Sequence, residues 1–136
     1  MHRLSESEGV RYAEKILIVD DERDIRDLVE ATLLRSDHVV FKADSGEKAI
    51  EIARSEKPHL ILMDIMMPGS IDGLEATRIL KHDPATRYCT IIILSAKAQI
   101  SDREKGIEAG ADGYFGKPFS PLELLRKVDQ VLDSVE

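Results

Sequence analysis

Three stretches of this chain are apolar at every position: Ile16-Leu17-Ile18-Val19, Leu60-Ile61-Leu62-Met63 and Ile91-Ile92-Ile93-Leu94. A strand with one wet face alternates apolar and polar residues, whereas a strand covered by helices on both faces has no polar side to show. The runs therefore predict central strands of a parallel sheet, over Lys15–Val19, His59–Met63 and Thr90–Leu94. His38–Lys42 is less apolar and suits an edge, and Gly113–Gly116 is a short strand with two aromatics.

Helical periods fill the gaps. Ile25, Leu28, Val29, Thr32 and Leu33 recur at helical spacing, as do Ala49, Ile52 and Ala53 in the next segment. Three further helix starts are marked by an acceptor side chain three residues before a Glu: Asp72 with Glu75, Ser101 with Glu104, and Ser120 with Glu123, the last followed by Pro121 at the first helical position. Gly110 is the expected stop of the fourth helix, and Leu125, Val128, Leu132 and Val135 are the expected inner face of the fifth. Five strands alternating with five helices predict a doubly wound α/β sandwich with a five-stranded parallel sheet, because parallel neighbours need right-handed crossovers. Residues 1–14 are polar without a sustained period and are expected to form an N-terminal tail, leaving 15–136 as the folded domain.

Composition narrows the function classes. With 136 residues and 43% hydrophobic content, the chain holds one domain with a real core. A formal net charge of -7 argues against direct contact with nucleic acid, which needs clustered cations. Cys89 is the single cysteine, so no internal disulfide or Cys-rich metal site can form, which fits a reducing compartment. The apolar runs are strand-length, well short of the ~20 residues that span a bilayer, and no signal-peptide stretch opens the chain. The expectation is a cytoplasmic protein without membrane contact.

Chemistry gathers where the predicted strands end. Asp20 and Asp21 follow the first, Asp64 the third, Ser95 the fourth and Lys117 the fifth. The carboxyl ends of parallel strands share one rim, which is where ligands bind in such sheets. An acidic pair before a helix is by itself often a cap, Asp64 a strand-to-turn exit, Ser95 a turn residue and Lys117 a solvated cation. Asp64 beside Asp20 and Asp21 changes that balance: crowded carboxylates repel, and one must hold a proton unless a cation arrives. A hard divalent ion such as Mg²⁺ prefers such oxygen ligands and commonly takes one or two carboxylates plus a phosphate oxygen. His2, His38, His59 and His82 match no metal or phosphodonor motif.

Taken in order, Asp20-Asp21, Asp64-Ile65-Met66-Met67-Pro68, Asp72-Gly73, Ser95 and Lys117-Pro118 resemble the receiver domain of two-component response regulators, of the chemotaxis-regulator kind, over about Lys15 to Val135. The resemblance implies a flavodoxin-like sheet of order 2-1-3-4-5. It implies that Asp64 is the phosphoacceptor, taking a phosphoryl group from a histidine kinase or histidine phosphotransfer protein. It further implies a Mg²⁺ site, with Mn²⁺ as a substitute, built from Asp21 and Asp64 directly, Asp20 through water and the Met66 backbone carbonyl. Lys117 and Ser95 would contact the phosphoryl group, Ser95 and Tyr114 would form the switch, and the Lys117-Pro118 bond would be cis. A downstream protein would meet the face of the fourth helix, fifth strand and fifth helix, with Lys105, Phe115 and Lys127 as candidate contacts. Such a domain is no enzyme in the ordinary sense: it promotes its own phosphorylation and dephosphorylation.

One departure stands out: Pro68-Gly69-Ser70-Ile71-Asp72-Gly73 carries one residue more between Pro and Asp-Gly than the family pattern. The alternatives are a receiver segment of a longer regulator with an output domain, and an aspartyl-nucleophile phosphohydrolase. The phosphohydrolase class wants Asp-x-Asp after its nucleophile strand, and Asp64-Ile65-Met66 lacks it. A nucleotide- or flavin-binding module is disfavoured because Asp20-Asp21-Glu22 would repel a phosphate.

Overall fold

A computed structural model of the chain describes residues 14–96 and 100–134. Five strands, β1 (Lys15–Val19), β2 (Val39–Ala43), β3 (Leu60–Asp64), β4 (Thr90–Ala96) and β5 (Gly113–Lys117), alternate with α1 (Arg23–Leu34), α2 (Gly46–Glu56), α3 (Gly73–His82), α4 (Ile100–Glu108) and α5 (Pro121–Ser134). The strands pair in parallel in the order β2-β1-β3-β4-β5. This is the doubly wound fold and the order that the resemblance implied. Residues 1–13 of the expected tail lie outside the described residues. Glu14, expected in that tail, is already part of the fold: it is buried, and its carbonyl accepts from Val39 N at 2.9 Å.

The unbroken apolar runs divide by parity. Ile16, Ile18, Leu60, Leu62, Ile92 and Leu94 face Val29 and Leu33 of α1 and Leu124, Val128, Val131 and Leu132 of α5. Their neighbours Leu17, Val19, Ile61, Met63, Ile91 and Ile93 face Ala49, Ile50 and Ala53 of α2 and Ala76 and Leu80 of α3. Each face is dry, which is why neither parity can be polar. Each fully buried Leu or Ile contributes about 1.5–3 kcal/mol. In the α5 stripe, Leu124 and Val131 take the inner positions beside the expected Val128 and Leu132, Leu125 is half-buried, and Val135 lies outside the described residues.

The helix ends follow local chemistry. Asp72 accepts from Glu75 N at 2.9 Å, and Ser120 and Glu123 exchange reciprocal bonds of 3.1 and 2.8 Å, a capping box. The cap expected at Ser101 is not one: α4 already runs at Ile100, so Ser101 sits inside the helix and the cap position falls at or before residue 99, outside the described residues. Gly110 ends α4 at φ 106°, with Ala111 N reaching back to Gly106 O at 2.9 Å.

The extra residue after Pro68 is absorbed without moving the start of α3. Gly69 turns at φ 105°, Ser70 Oγ donates to Glu47 Oε2 at 2.6 Å, and Ile71 packs its backbone on Gly46 of α2. Gly73 then sits hard against the Asp64 carbonyl, leaving no room for a Cβ. Gly73→Ala should therefore push α3 off the end of β3 and cost about 1–3 kcal/mol. Urea unfolding measures it, and an unchanged midpoint would show that the contact yields freely.

Candidate functional site

The sheet register brings the expected residues to one rim. Val19 pairs with Met63, Asp64 with Leu94, Ser95 with Gly116 and Ala96 with Lys117, so the residues that end β1, β3, β4 and β5 are lateral neighbours. Asp64 and Lys117 are the last residues of their strands, one step further into the sheet than expected, and Ser95, one before the end of β4, lies two steps further in. They line an open cleft of about 890 Å³ with Asp21, Met66 and, from α4, Asp102.

Asp20 is fully buried and Asp64 is 5% exposed, while Asp21 is open to solvent. Lys117 Nζ reaches between the two buried carboxylates, 2.8 Å from Asp20 Oδ2 and 3.5 Å from Asp64 Oδ1. Asp20 is pinned from several sides. Its Oδ1 accepts from Glu22 N at 2.9 Å, its carbonyl from Arg26 Nη1 at 2.8 Å, and its own N–H donates to Ala43 O at 3.1 Å. Asp64 Oδ1 accepts from Met66 N at 3.3 Å.

One ammonium does not settle this much negative charge. Burial first, then repulsion from Asp20, pushes the Asp64 carboxyl up to about 7, against the pull of Lys117 and the Met66 N–H. Burial works against the Lys117 ammonium, but contact with Asp20 and the charges of Asp64 and Asp20 outweigh it and raise its pKa above the ordinary lysine value. Carboxylate oxygens of Asp20, Asp21 and Asp64 all lie within 4.8 Å of one another. Asp20 Oδ2 is buried without a hydrogen bond, in charge contact with Lys117 alone among the described residues. A hard-oxygen donor set whose charge one ammonium leaves uncompensated fits a divalent cation.

The two expected switch residues are both engaged. Ser95, 2% exposed, donates through Oγ to Asp102 Oδ2 at 2.7 Å. Tyr114 donates from its hydroxyl to the carbonyl of Ala96, the next residue along β4, at 2.8 Å. The Lys117-Pro118 bond is cis. Asp102 was not anticipated from the sequence. It lies seven residues beyond Ser95 on the next helix, and no spacing rule ties a strand-end hydroxyl to that position. Phe115, expected at the surface, instead packs into the core beside α5 and stacks on Phe119 at 5.0 Å.

Comparison with known proteins fits this geometry. A family model, the response regulator receiver domain, matches residues 16–129. The chain belongs to the response regulator receiver family. The receiver is 41% identical over 117 residues to the phosphate regulon transcriptional regulatory protein PhoB of Pseudomonas aeruginosa, covering 86% of this chain and 51% of that protein. It is 42% identical to the transcriptional regulatory protein ResD of Bacillus subtilis, covering 87% of this chain and 48% of that one. The receiver thus spans about half the length of these curated relatives. Among solved structures, the chemotaxis response regulator CheY4 of Vibrio cholerae aligns with TM-score 0.82 at 28% identity, over 88% of this chain and 99% of that one. The receiver domain of the sensor histidine kinase PA1611 from Pseudomonas aeruginosa, which has magnesium ion coordinated in its active site cleft, aligns with TM-score 0.79 at 33% identity, over 88% and 97%. Among the described residues, no helix is long and apolar enough to cross a membrane.

The buried charge makes a stability prediction. The Asp64 pKa is raised in the folded state, from 3.8 to about 7. The native state thus holds this proton more tightly than the unfolded chain, and that stabilisation is complete at low pH and lost as pH rises through about 7. Asp64→Asn has no such proton to lose. In the presence of a chelator its stability should exceed that of the wild type by a margin that grows from about pH 4 to about pH 7 and then levels off, reaching on the order of 1–3 kcal/mol. Denaturant midpoints across that range measure the margin, and one that stays flat with pH contradicts the buried-charge account.

Proposed function

We propose that Asp64 is the phosphoacceptor of this receiver and that a histidine kinase or histidine phosphotransfer protein is the donor. The observation that supports this most is the position of the Asp64 carboxylate: at the end of a central strand, lining an open cleft, with an ammonium and a backbone N–H both at its Oδ1. In the transfer, an Asp64 carboxylate oxygen forms a bond to phosphorus while the bond from phosphorus to the donor imidazole nitrogen breaks, leaving an acyl phosphate here and an imidazole on the donor. Lys117 holds Asp64 toward its ionised form and offers its ammonium to the phosphoryl oxygens. Asp20 anchors that ammonium. Positioning and charge are the means of catalysis, and the group that is modified is the domain's own Asp64.

Asp21, Asp64 and the Met66 carbonyl are the proposed direct ligands of Mg²⁺, with Asp20 acting through water and Mn²⁺ able to substitute. When bound, the cation would neutralise both the carboxylate cluster and the arriving phosphoryl oxygens. After transfer, Ser95 and Tyr114 carry the change outward: Ser95 turns its hydroxyl to the phosphoryl group, and Tyr114 leaves the Ala96 carbonyl for the space behind it. The readout is a downstream protein on the face of α4, β5 and α5, with the exposed Lys105 and the half-buried Lys127 at hand. The net charge of -7 supports a protein partner over nucleic acid for this domain, and the single Cys89 suits a reducing, cytoplasmic setting. A receiver segment that regulates an attached output domain is a second reading, favoured by the half-length match to PhoB and ResD.

Incubation with a small phosphodonor and Mg²⁺ should add one acyl phosphate, and Asp64→Ala should abolish it. Mass spectrometry at neutral pH detects the adduct, and labelling that persists at the wild-type level removes Asp64 from the role. Asp21→Ala should weaken Mg²⁺ binding by at least roughly tenfold in a direct titration, since it strips a first carboxylate from a site with few others. Unchanged affinity would move the metal elsewhere.

A further inference from the structure

We propose that Asp102 is a positioning residue that holds the Ser95 hydroxyl away from the phosphoryl site, and so sets how readily the receiver switches. The inference rests on the assignment of Ser95 as a phosphoryl contact.

Ser95 and Asp102 meet across two elements. Ser95 is buried at the end of β4, and Asp102 enters from the first turn of α4, half-buried, with Oδ2 2.7 Å from Ser95 Oγ. A hydroxyl has one proton to give. While that proton points at Asp102 it cannot point at a phosphoryl oxygen, so the two acceptors compete for one donor. A bond to a carboxylate is charge-assisted and of the stronger kind, which makes Asp102 an effective competitor. Serine, lacking the methyl that restricts threonine, can rotate between the two without a steric penalty.

The charge of Asp102 adds to the effect. The cleft is lined by four carboxylates, Asp21, Glu22, Asp64 and Asp102, against two ammoniums, Lys105 and Lys117. An arriving phosphoryl group brings more negative charge into a space where Asp102 already stands on the far wall. When Ser95 turns, Asp102 loses its hydrogen bond and faces that charge, so α4 gains a reason to move at the moment the phosphoryl group arrives. The bond between Ser95 and Asp102 is therefore a two-position element with different affinity for a phosphoryl group in each position, which is what a population shift requires.

Beryllofluoride with Mg²⁺ as the phosphoryl mimic tests this in four proteins: wild type, Asp102→Ala, Ser95→Ala and the double variant. Asp102→Ala should bind the mimic roughly three- to tenfold more tightly than wild type, the scale of one hydrogen bond no longer competed for. On a Ser95→Ala background the same change should gain less than about twofold, because no hydroxyl is left to release. Asp102→Asn, which keeps the side-chain shape, should show a gain in the same direction and serves if the alanine variant disturbs α4. Equal or weaker binding by both Asp102 variants overturns the proposal. So does an equal gain with and without Ser95, which would make Asp102 a bystander charge. Comparing Asp102→Ala with the double variant isolates the hold of Ser95 itself on the mimic. Loss of affinity there keeps the Ser95 assignment whatever Asp102 does, and no loss removes that assignment together with the proposal.

Discussion

Asp20 and Asp64 carry carboxylates into the buried end of a parallel sheet, where Lys117 is the ammonium set between them at 2.8 and 3.5 Å. Water would screen such a cluster at the surface, but burial of Asp20 and Asp64 removes most of that screening. The rest of the rim is arranged around the imbalance. Backbone N–H groups from Glu22 and Met66 are turned onto the carboxylates, Arg26 holds the carbonyl of Asp20, and Asp21 stands open to solvent beside them. A fold with no use for this charge would be more stable with neutral side chains here, since partners left incompletely compensated in the interior destabilise it. The same imbalance makes the rim a fitting place for a divalent cation.

Rigidity beneath the rim is what lets a small event there have reach. The strands β1, β3 and β4 are packed on both faces, so their ends cannot drift. Gly73 pressed against the Asp64 carbonyl ties α3 to the end of β3, and the Ser70 to Glu47 bond ties the loop before it to α2. By contrast, the two contacts on the β4 side are single hydrogen bonds donated by side chains: Ser95 to the Asp102 carboxylate and Tyr114 to the Ala96 carbonyl. The site therefore has one wall tied by close backbone packing and one closed by side-chain hydrogen bonds, and the second adjoins α4 and β5.

Much of this was legible in the residues. The apolar runs implied strands buried on both faces because both parities must be apolar, and the cap residues Asp72 and Ser120 placed two helix starts correctly. Strand-end position was enough to gather Asp20, Asp64, Ser95 and Lys117 on one rim. What the pattern missed depended on tertiary geometry. Ser101 has the local signature of a cap, yet α4 begins before it. The α5 stripe was read one step off at Leu125 because Leu124 and Leu125 are equally apolar and only packing into the core beside α1 chooses between them. Phe115 looked like surface in a short edge strand and was claimed by Phe119. Asp102 carries no local signal, since its partner lies on a different element and the contact exists only once α4 is laid over the end of β4.

The account turns on the rim holding more negative charge than it can neutralise alone, and proton release on metal binding reads that charge most directly. Mg²⁺ titrated calorimetrically in buffers of different ionisation enthalpy should displace close to about one proton near pH 6, where Asp64 is still largely protonated, and almost none near about pH 9. Release that falls away through about pH 7 and vanishes in Asp64→Asn would match a carboxyl held up by burial and by Asp20. Metal binding with no proton released at any pH would mean that Asp64 is already ionised beside Asp20, and would contradict the account.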